Sequence, residues 1–335
     1  MTTTADIIHN EVTKDPAPRW AKSILDYGQP LPPTPPALVS INGTDVAFRG
    51  GITAIAGADK SGKSTLVRLV LASALSGKSI FGVEAKPVRI CDFDTEQPTF
   101  RVLRLIDNAF RLAERERTKD PSIFVLELRP YTPAERWQAV EETIEDLRPD
   151  LVILDGVADL IPDINDLTAS ADLIARLLTI ATDFDLSIVA LIHTNANDPL
   201  GKLRGHLGSE IMRKAETSIL LDKSDAGVFT CRCKASRGKP FDAFSFMKDA
   251  DDNLIPVDAP IKAVGAPDKL LQAMEPGRKY TYSELVNIGI AQGATTSSAK
   301  YAITRNCQSG KIEKDGKDYV LKTDTKVSQV SLYRY

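Results

Sequence analysis

Between residue 51 and about residue 258, short apolar runs alternate with amphipathic stretches. The runs fall at 52–56, 88–93, 123–128, 151–154, 188–192, 218–221 and 228–233. Most are near-continuous apolar runs rather than alternating ones, the pattern of a strand buried on both faces. Between them, patterns of helical period cover 64–75, 98–115, 133–147, 168–183 and 208–215. Strands of this kind interleaved with helices predict an α/β fold with a mostly parallel sheet covered on both sides.

The flanks differ from this core. Residues 1–50 hold a short helical pattern around 20–27, then the proline-rich stretch 30–36, which favours a stiff extended arm. Gly265-Ala266-Pro267 marks a boundary after a core of 51–262. Beyond it, helical patterns at 268–274, 282–290 and 295–307 precede a hairpin at 311–322 that turns on Asp315-Gly316. Three helices and a β-wing predict a small winged-helix domain over 266–323, with 324–335 as a tail.

The first apolar run leads into Gly57-Ala58-Asp59-Lys60-Ser61-Gly62-Lys63-Ser64, and a helical pattern follows from Thr65. The stretch satisfies G-x-x-x-x-G-K-[ST] in its required strand–loop–helix setting. Gly57 through Thr65 are therefore the candidate nucleotide-binding residues. Backbone N–H groups and the helix N-terminus suit phosphate oxygens. Lys63 would neutralise the β/γ-phosphates of ATP, and the Ser64 hydroxyl would face Mg²⁺.

A second half of such a site lies at 151–155, an apolar strand ending in Asp155 that would face the same Mg²⁺. Asp92, Asp94 and Glu96 close another strand and alternate along the extended chain. Hydrolysis needs a carboxylate to orient or deprotonate water, and Glu96 lies just past that strand tip.

Composition narrows the alternatives. The chain has 335 residues, 42 Lys and Arg against 45 Asp and Glu, and a net charge of −3. It is not a basic nucleic-acid binder as a whole, but residues 266–335 carry 11 Lys and Arg against 7 Asp and Glu. That leaves +4 there and −7 elsewhere, so an anionic partner is expected at the C-terminal part. No apolar run reaches membrane-spanning length, no secretory leader is evident, and the four cysteines suit a reducing cytoplasm. Cys231 and Cys233, two apart on a strand, read as small hydrophobes rather than zinc ligands.

Together Gly57–Ser64, Asp94-Thr95-Glu96-Gln97, Asp155, Ile192-His193-Thr194, residues 204–210 and Lys234–Gly238 resemble the RecA-like P-loop ATPases. Within that group they are most similar to the RepA-type hexameric plasmid helicases and to ATPases of bacterial mobile elements. The resemblance covers about residues 37–247. It implies that Glu96 activates water, that His193 senses the γ-phosphate, and that Arg104 contacts the adenine. It also implies that Lys234 and Arg237 reach the nucleotide of the next subunit in a ring. Two loops, 156–169 and 195–208, would face a central channel. The second carries Lys202, Arg204 and His206 as candidate single-strand contacts, without an aromatic for stacking. In the C-terminal domain a recognition helix over 295–306 offers Lys300, Tyr301, Arg305 and Asn306 to duplex DNA.

Three readings remain open at this point: an oligomeric DNA motor, an ATP-switched DNA-binding initiator, loader or regulator with slow hydrolysis, and a small-molecule kinase. No acceptor-binding motif supports the third.

Overall fold

The structure is a computed structural model that describes residues 24–25, 27–30, 35–195, 198, 201–250, 252–257, 270–292, 296–308 and 310–322. Most of the N-terminal helix and proline arm, the 265–267 boundary and the tail lie outside the described residues. The chain separates into two compact units: Met1–Ser224 with Cys231–Asp242, and Asp225–Thr230 with Ala243–Tyr335.

The first unit opens with an antiparallel sheet of β1 (Val39–Ile41), β2 (Thr44–Ala47) and β4 (Val83–Ala85), with β1 in the middle. Its main sheet is built from β3 (Ile52–Gly57), β5 (Ile90–Asp94), β6 (Ile123–Glu127), β7 (Leu151–Asp155), β8 (Ser187–His193) and β9 (Thr217–Lys223). These pair in parallel in the order β9-β3-β8-β7-β5-β6, and β10 (Phe229–Ser236) follows β9. The predicted α/β class with a mostly parallel sheet is what forms.

Five helices connect the strands: α1 (Lys63–Ser76), α2 (Thr99–Leu112), α3 (Pro133–Leu147), α4 (Leu167–Asp183) and α5 (Gly205–Lys214). Thr132 and Glu135 form a reciprocal capping box that starts α3, with Pro133 in its first turn. The Asp166 side chain accepts from Ala169 N–H and starts α4. On β5, Cys91 and Phe93 join Trp137, Val140 and Ile144 of α3 and Leu173, Ile174 and Leu177 of α4 in one buried cluster. Alternation along the strand therefore sends Asp92 and Asp94 to the opposite face. Ile144 is 1% exposed in that cluster. Ile144→Ala is expected to cost about 2–5 kcal/mol, read as a lower urea midpoint with an unchanged slope.

The register decides where chemistry gathers. Gly57 of β3 pairs with His193 of β8, and Asp94 of β5 pairs with Asp155 of β7. The carboxyl ends of four adjacent parallel strands thus carry Gly57, His193, Asp155 and Asp94, the second pair two residues short of the first because Asp155 pairs with Leu191, at the edge where ligands of open α/β sheets bind.

In the second unit β11 (Phe244–Lys248) and β12 (Leu254–Val257) pair antiparallel. Further on come β13 (Lys279–Tyr280), α6 (Tyr282–Ala291), α7 (Thr296–Gln308), β14 (Ile312–Asp315) and β15 (Asp318–Leu321). The last two form the expected hairpin, and β13 adds to β15. A core of Leu270, Met274, Tyr280, Leu285, Ala302, Ile303, Ile312 and Leu321 holds these elements together. Gly289 of α6 lies where an added Cβ would stand 2.7 Å from the Ala299 Cβ of α7, so glycine permits the close helix contact.

Candidate active site

The loop between β3 and α1 is built for close backbone approach. A Cβ at Gly57 would stand 2.2 Å from Ser61 Oγ and 2.7 Å from the Leu221 carbonyl oxygen. Gly62 adopts φ 98°, a conformation open to glycine, and no side chain caps the helix it starts. The first turn of α1 holds no acidic residue, which leaves the positive end of the helix for an anion. Ser61 Oγ is buried without a hydrogen-bond partner, an orphan donor facing this loop.

Lys63 is 7% exposed. Its ammonium donates to the carbonyls of Gly57 (3.3 Å) and Ala58 (3.2 Å) and lies 3.2 Å from His193 Nδ1. Burial pushes its pKa below the ordinary lysine value, opposed by the charges of Glu96, Asp155 and Asp59. His193 Nε2 is 2.9 Å from Glu96 Oε1, and its Nδ1 is 2.6 Å from Asp59 Oδ1. A neutral ring that donates to Glu96 accepts from Lys63, and a protonated ring donates to both carboxylates. The hydrogen bond from His193 holds the Glu96 carboxyl below its usual range, with burial opposing and the His193 and Lys63 charges assisting.

Beside this chain of contacts, Ser64 Oγ donates to Asp155 Oδ2 at 2.6 Å. Gln97 Nε2 reaches Asp94 Oδ2 at 2.8 Å and Ser64 Oγ at 3.4 Å. Asp94 Oδ1 accepts the backbone N–H groups of Glu96 (3.0 Å) and Gln97 (2.7 Å), which turns the chain at the end of β5. The expected alternation of Asp92, Asp94 and Glu96 on one side holds only for the first two. This turn carries Glu96 off the strand toward His193. Asp92 is buried with Oδ1 unpaired, and burial next to Asp155 and Asp94 raises its pKa well above the ordinary value.

Burial pushes Asp155 up to about 7, with the Ser64 hydrogen bond opposing and Asp94 and Glu96 adding to the rise. An acid raised by folding binds its proton in the native state while the unfolded chain, near 3.8, has lost it. Its contribution is therefore favourable below about pH 4 and is lost as pH rises through about 7. Asp155→Asn should stabilise the metal-free protein at pH 7.5 by ~2 kcal/mol and leave stability at pH 4 nearly unchanged. Paired thermal melts check this, and turnover should fall in the same variant.

The remaining candidates stand on other elements. Arg104 is exposed on α2. Lys234 is half-buried at the end of β10, and burial, with Arg232 nearby, lowers its pKa. Arg237 Nη2 donates to the Arg213 carbonyl at 3.2 Å and Nε lies 3.5 Å from Glu216. Lys202, Arg204 and His206 are exposed. The segment 195–208 is shorter as a loop than expected, because α5 begins at Gly205, and residues 196–197 and 199–200 are outside the described set. Lys300, Tyr301 and Arg305 are exposed on α7, whereas Asn306 is 2% exposed and unavailable to a ligand. Burial raises the Cys231 thiol well above its ordinary value, in keeping with a packing role. Thr95 and Asp159 are joined by a 2.7 Å hydrogen bond across 64 residues, a pairing that no local motif signals.

A phosphate-wrapping loop, its lysine, and a hydroxyl–carboxylate pair at the tips of a parallel sheet define a P-loop nucleotide-hydrolysing ATPase. The AAA-domain family model matches residues 29–199, half of the chain, and the chain belongs to that family. No curated protein matches the chain. Among the described residues no helix is long and apolar enough to cross a membrane.

Proposed function

We propose that this chain hydrolyses ATP with Mg²⁺ as a RecA-like, ring-forming ATPase that acts on DNA, as a helicase or translocase of a plasmid, phage or mobile element. The observation that carries the catalytic part is the convergence of Lys63, His193 and Glu96 beside the Ser64–Asp155 pair. The orphan Ser61 hydroxyl and the uncapped N-terminus of α1, free of acidic residues, fit a phosphate. The Ser64 hydroxyl and the Asp155 carboxylate are hard oxygen donors of the type Mg²⁺ takes. When bound there, the metal neutralises charge on the phosphates.

The chain's own residues supply the rest. Lys63 holds the phosphate oxygens with its desolvated ammonium. Glu96, ionised throughout the neutral range, orients the attacking water through its carboxylate. In a loose phosphoryl-transfer transition state the nucleophile needs position more than a strong base, so a lowered pKa is no handicap. His193 fixes the carboxylate through Nε2 and touches Lys63 through Nδ1, which couples the water-holding group to the phosphate-holding one.

For the wider assembly, Lys234 and Arg237 are proposed to complete the neighbouring subunit's site. The Arg237 side chain is 58% exposed and its ion pair with Glu216 is long. Exposed Lys202 and Arg204 would grip single-stranded DNA, and Lys300 and Arg305 on a winged helix would meet a duplex. The fold of α6, α7 and the β14–β15 hairpin supports that winged-helix reading. The same account expects a cytoplasmic location.

One observation favours the alternative, an ATP-switched DNA-binding initiator, loader or regulator with slow turnover. No aromatic residue occurs in the segment 195–208, and the facing loop is acidic at Asp159, Asp163 and Asp166. Hydrolysis measured with and without single-stranded DNA, with Lys63→Ala as the blank, separates the two. A motor gives stimulation of about tenfold. Hydrolysis indifferent to DNA removes the motor and leaves the switch.

A further inference from the structure

Glu96 is one residue from a buried threonine whose hydrogen bonds go to the chain just after β7. Thr95 is 4% exposed. Its N–H donates to the Asp155 carbonyl at 2.7 Å. Its hydroxyl accepts the Gly156 N–H at 3.1 Å and lies 3.3 Å from the Asp155 carbonyl and 3.2 Å from the Gly156 carbonyl. The shortest of its contacts is to Asp159 Oδ2 at 2.7 Å, and a hydroxyl with one proton gives it to the nearest anion.

Asp159 is itself fixed from two further directions. Its N–H donates to the Gly156 carbonyl at 3.2 Å, and its carbonyl accepts from Arg136 Nη1 at 3.1 Å. The same guanidinium donates to the carbonyls of Leu128 and Arg129, each at 3.0 Å. The 3₁₀ turn Val157–Leu160 that carries Asp159 is thereby bound to α3 on one side and to the end of β5 on the other. The Glu96 side chain lies over the start of this turn. A Cβ at Gly156 would come within 2.7 Å of Glu96 Oε1, so glycine is what lets the carboxylate rest there.

We propose that Thr95 and Asp159 are positioning residues that lock the Glu96 carboxylate to the turn after Asp155, so that the turn's position sets the rate of water attack. The inference rests on the reading of Glu96 as the water-orienting group. The bond crosses 64 residues of sequence and ties the tip of β5 to the loop that follows β7. The loop runs on through Asp163 to the start of α4 at Leu167, so a ligand on the loop would reach Glu96 through this joint, in which the Thr95 hydroxyl is the side-chain link.

A displacement of the water-orienting carboxylate by about 1 Å costs on the order of a hundredfold in rate, while nucleotide binding at Lys63 and Ser64 is untouched. The test measures kcat and KM for ATP, and nucleotide binding with a fluorescent analogue, in Thr95→Val, Thr95→Ser, Asp159→Ala, Glu96→Ala and the Thr95→Val/Glu96→Ala pair. Thr95→Val and Asp159→Ala should lower kcat by about tenfold or more with binding kept within twofold, and Thr95→Ser should restore the rate. In the Glu96→Ala background, Thr95→Val should change nothing further, because a group that acts through Glu96 has nothing left to position. Wild-type kcat in Thr95→Val, or parallel loss of binding and rate, or full additivity in the pair, overturns the proposal while leaving Glu96 in its role. Normal turnover in Glu96→Ala overturns the water-orienting reading and the proposal with it.

Discussion

Lys63→Ala is expected to abolish ATP turnover, by about 10²–10³-fold or more in kcat/KM, and to weaken nucleotide binding as well. The ammonium sits at 7% exposure among Glu96, Asp155 and Asp59, where it balances carboxylates that would otherwise face the phosphates. Its hydrogen bonds to the Gly57 and Ala58 carbonyls aim it into the loop that wraps the phosphate. Charge-assisted bonds to buried groups are worth about 1.5–3 kcal/mol, so losing those to phosphate alone costs roughly 10–100-fold in affinity. Calorimetric titration with a non-hydrolysable analogue, run beside steady-state kinetics, separates the two losses. A variant within threefold of wild type would remove Lys63 from the site.

Glu96→Gln carries the second large effect, a fall in kcat of about 10²–10³-fold with binding almost unchanged. Glutamine keeps the oxygen that accepts from His193 Nε2, so the local structure is retained. What disappears is the negative charge that polarises water. The His193 hydrogen bond already holds the Glu96 pKa below its usual value, so the carboxylate loses its charge only in acid. The account therefore predicts no Glu96 limb in the wild-type rate profile between pH 5.5 and 8. A limb there that vanishes in Glu96→Gln would mean that the carboxyl titrates in the neutral range, against the geometry.

Much of this site was readable because its parts are local. The loop of Gly57–Ser64 is contiguous, and Asp155, Glu96 and His193 each end or follow a run of buried strand residues. A parallel sheet then does the assembly: register alone brings Gly57 to His193 and Asp94 to Asp155. The short strands β1, β2 and β4 were not visible, since three or four residues carry too little periodicity. The helix α5 starts three residues earlier than the sequence pattern predicts, because Gly205 and Gly208 together carry a loop signal. Gly205 does adopt φ 73°, but Gly208 sits inside the helix, where a Cβ would stand 2.6 Å from the Leu203 backbone. Its glycine serves close packing rather than a turn. Asn306, offered as a DNA contact, faces the core of the second unit, a distinction that one turn of helix decides and composition does not. The bond from Thr95 to Asp159 and the approach of Asp59 to His193 are tertiary facts with no sequence signature.

The central claim is that the cluster of Lys63, Glu96 and His193 breaks the bond to the γ-phosphoryl group rather than merely holding a nucleotide. A single-turnover measurement tests it most directly: protein in excess over labelled ATP, with Mg²⁺, followed by acid quench. The account predicts that essentially all bound ATP becomes ADP in the wild type, and that Glu96→Gln returns it intact over the same interval. ATP recovered unchanged from the wild-type protein, despite tight binding, would contradict it.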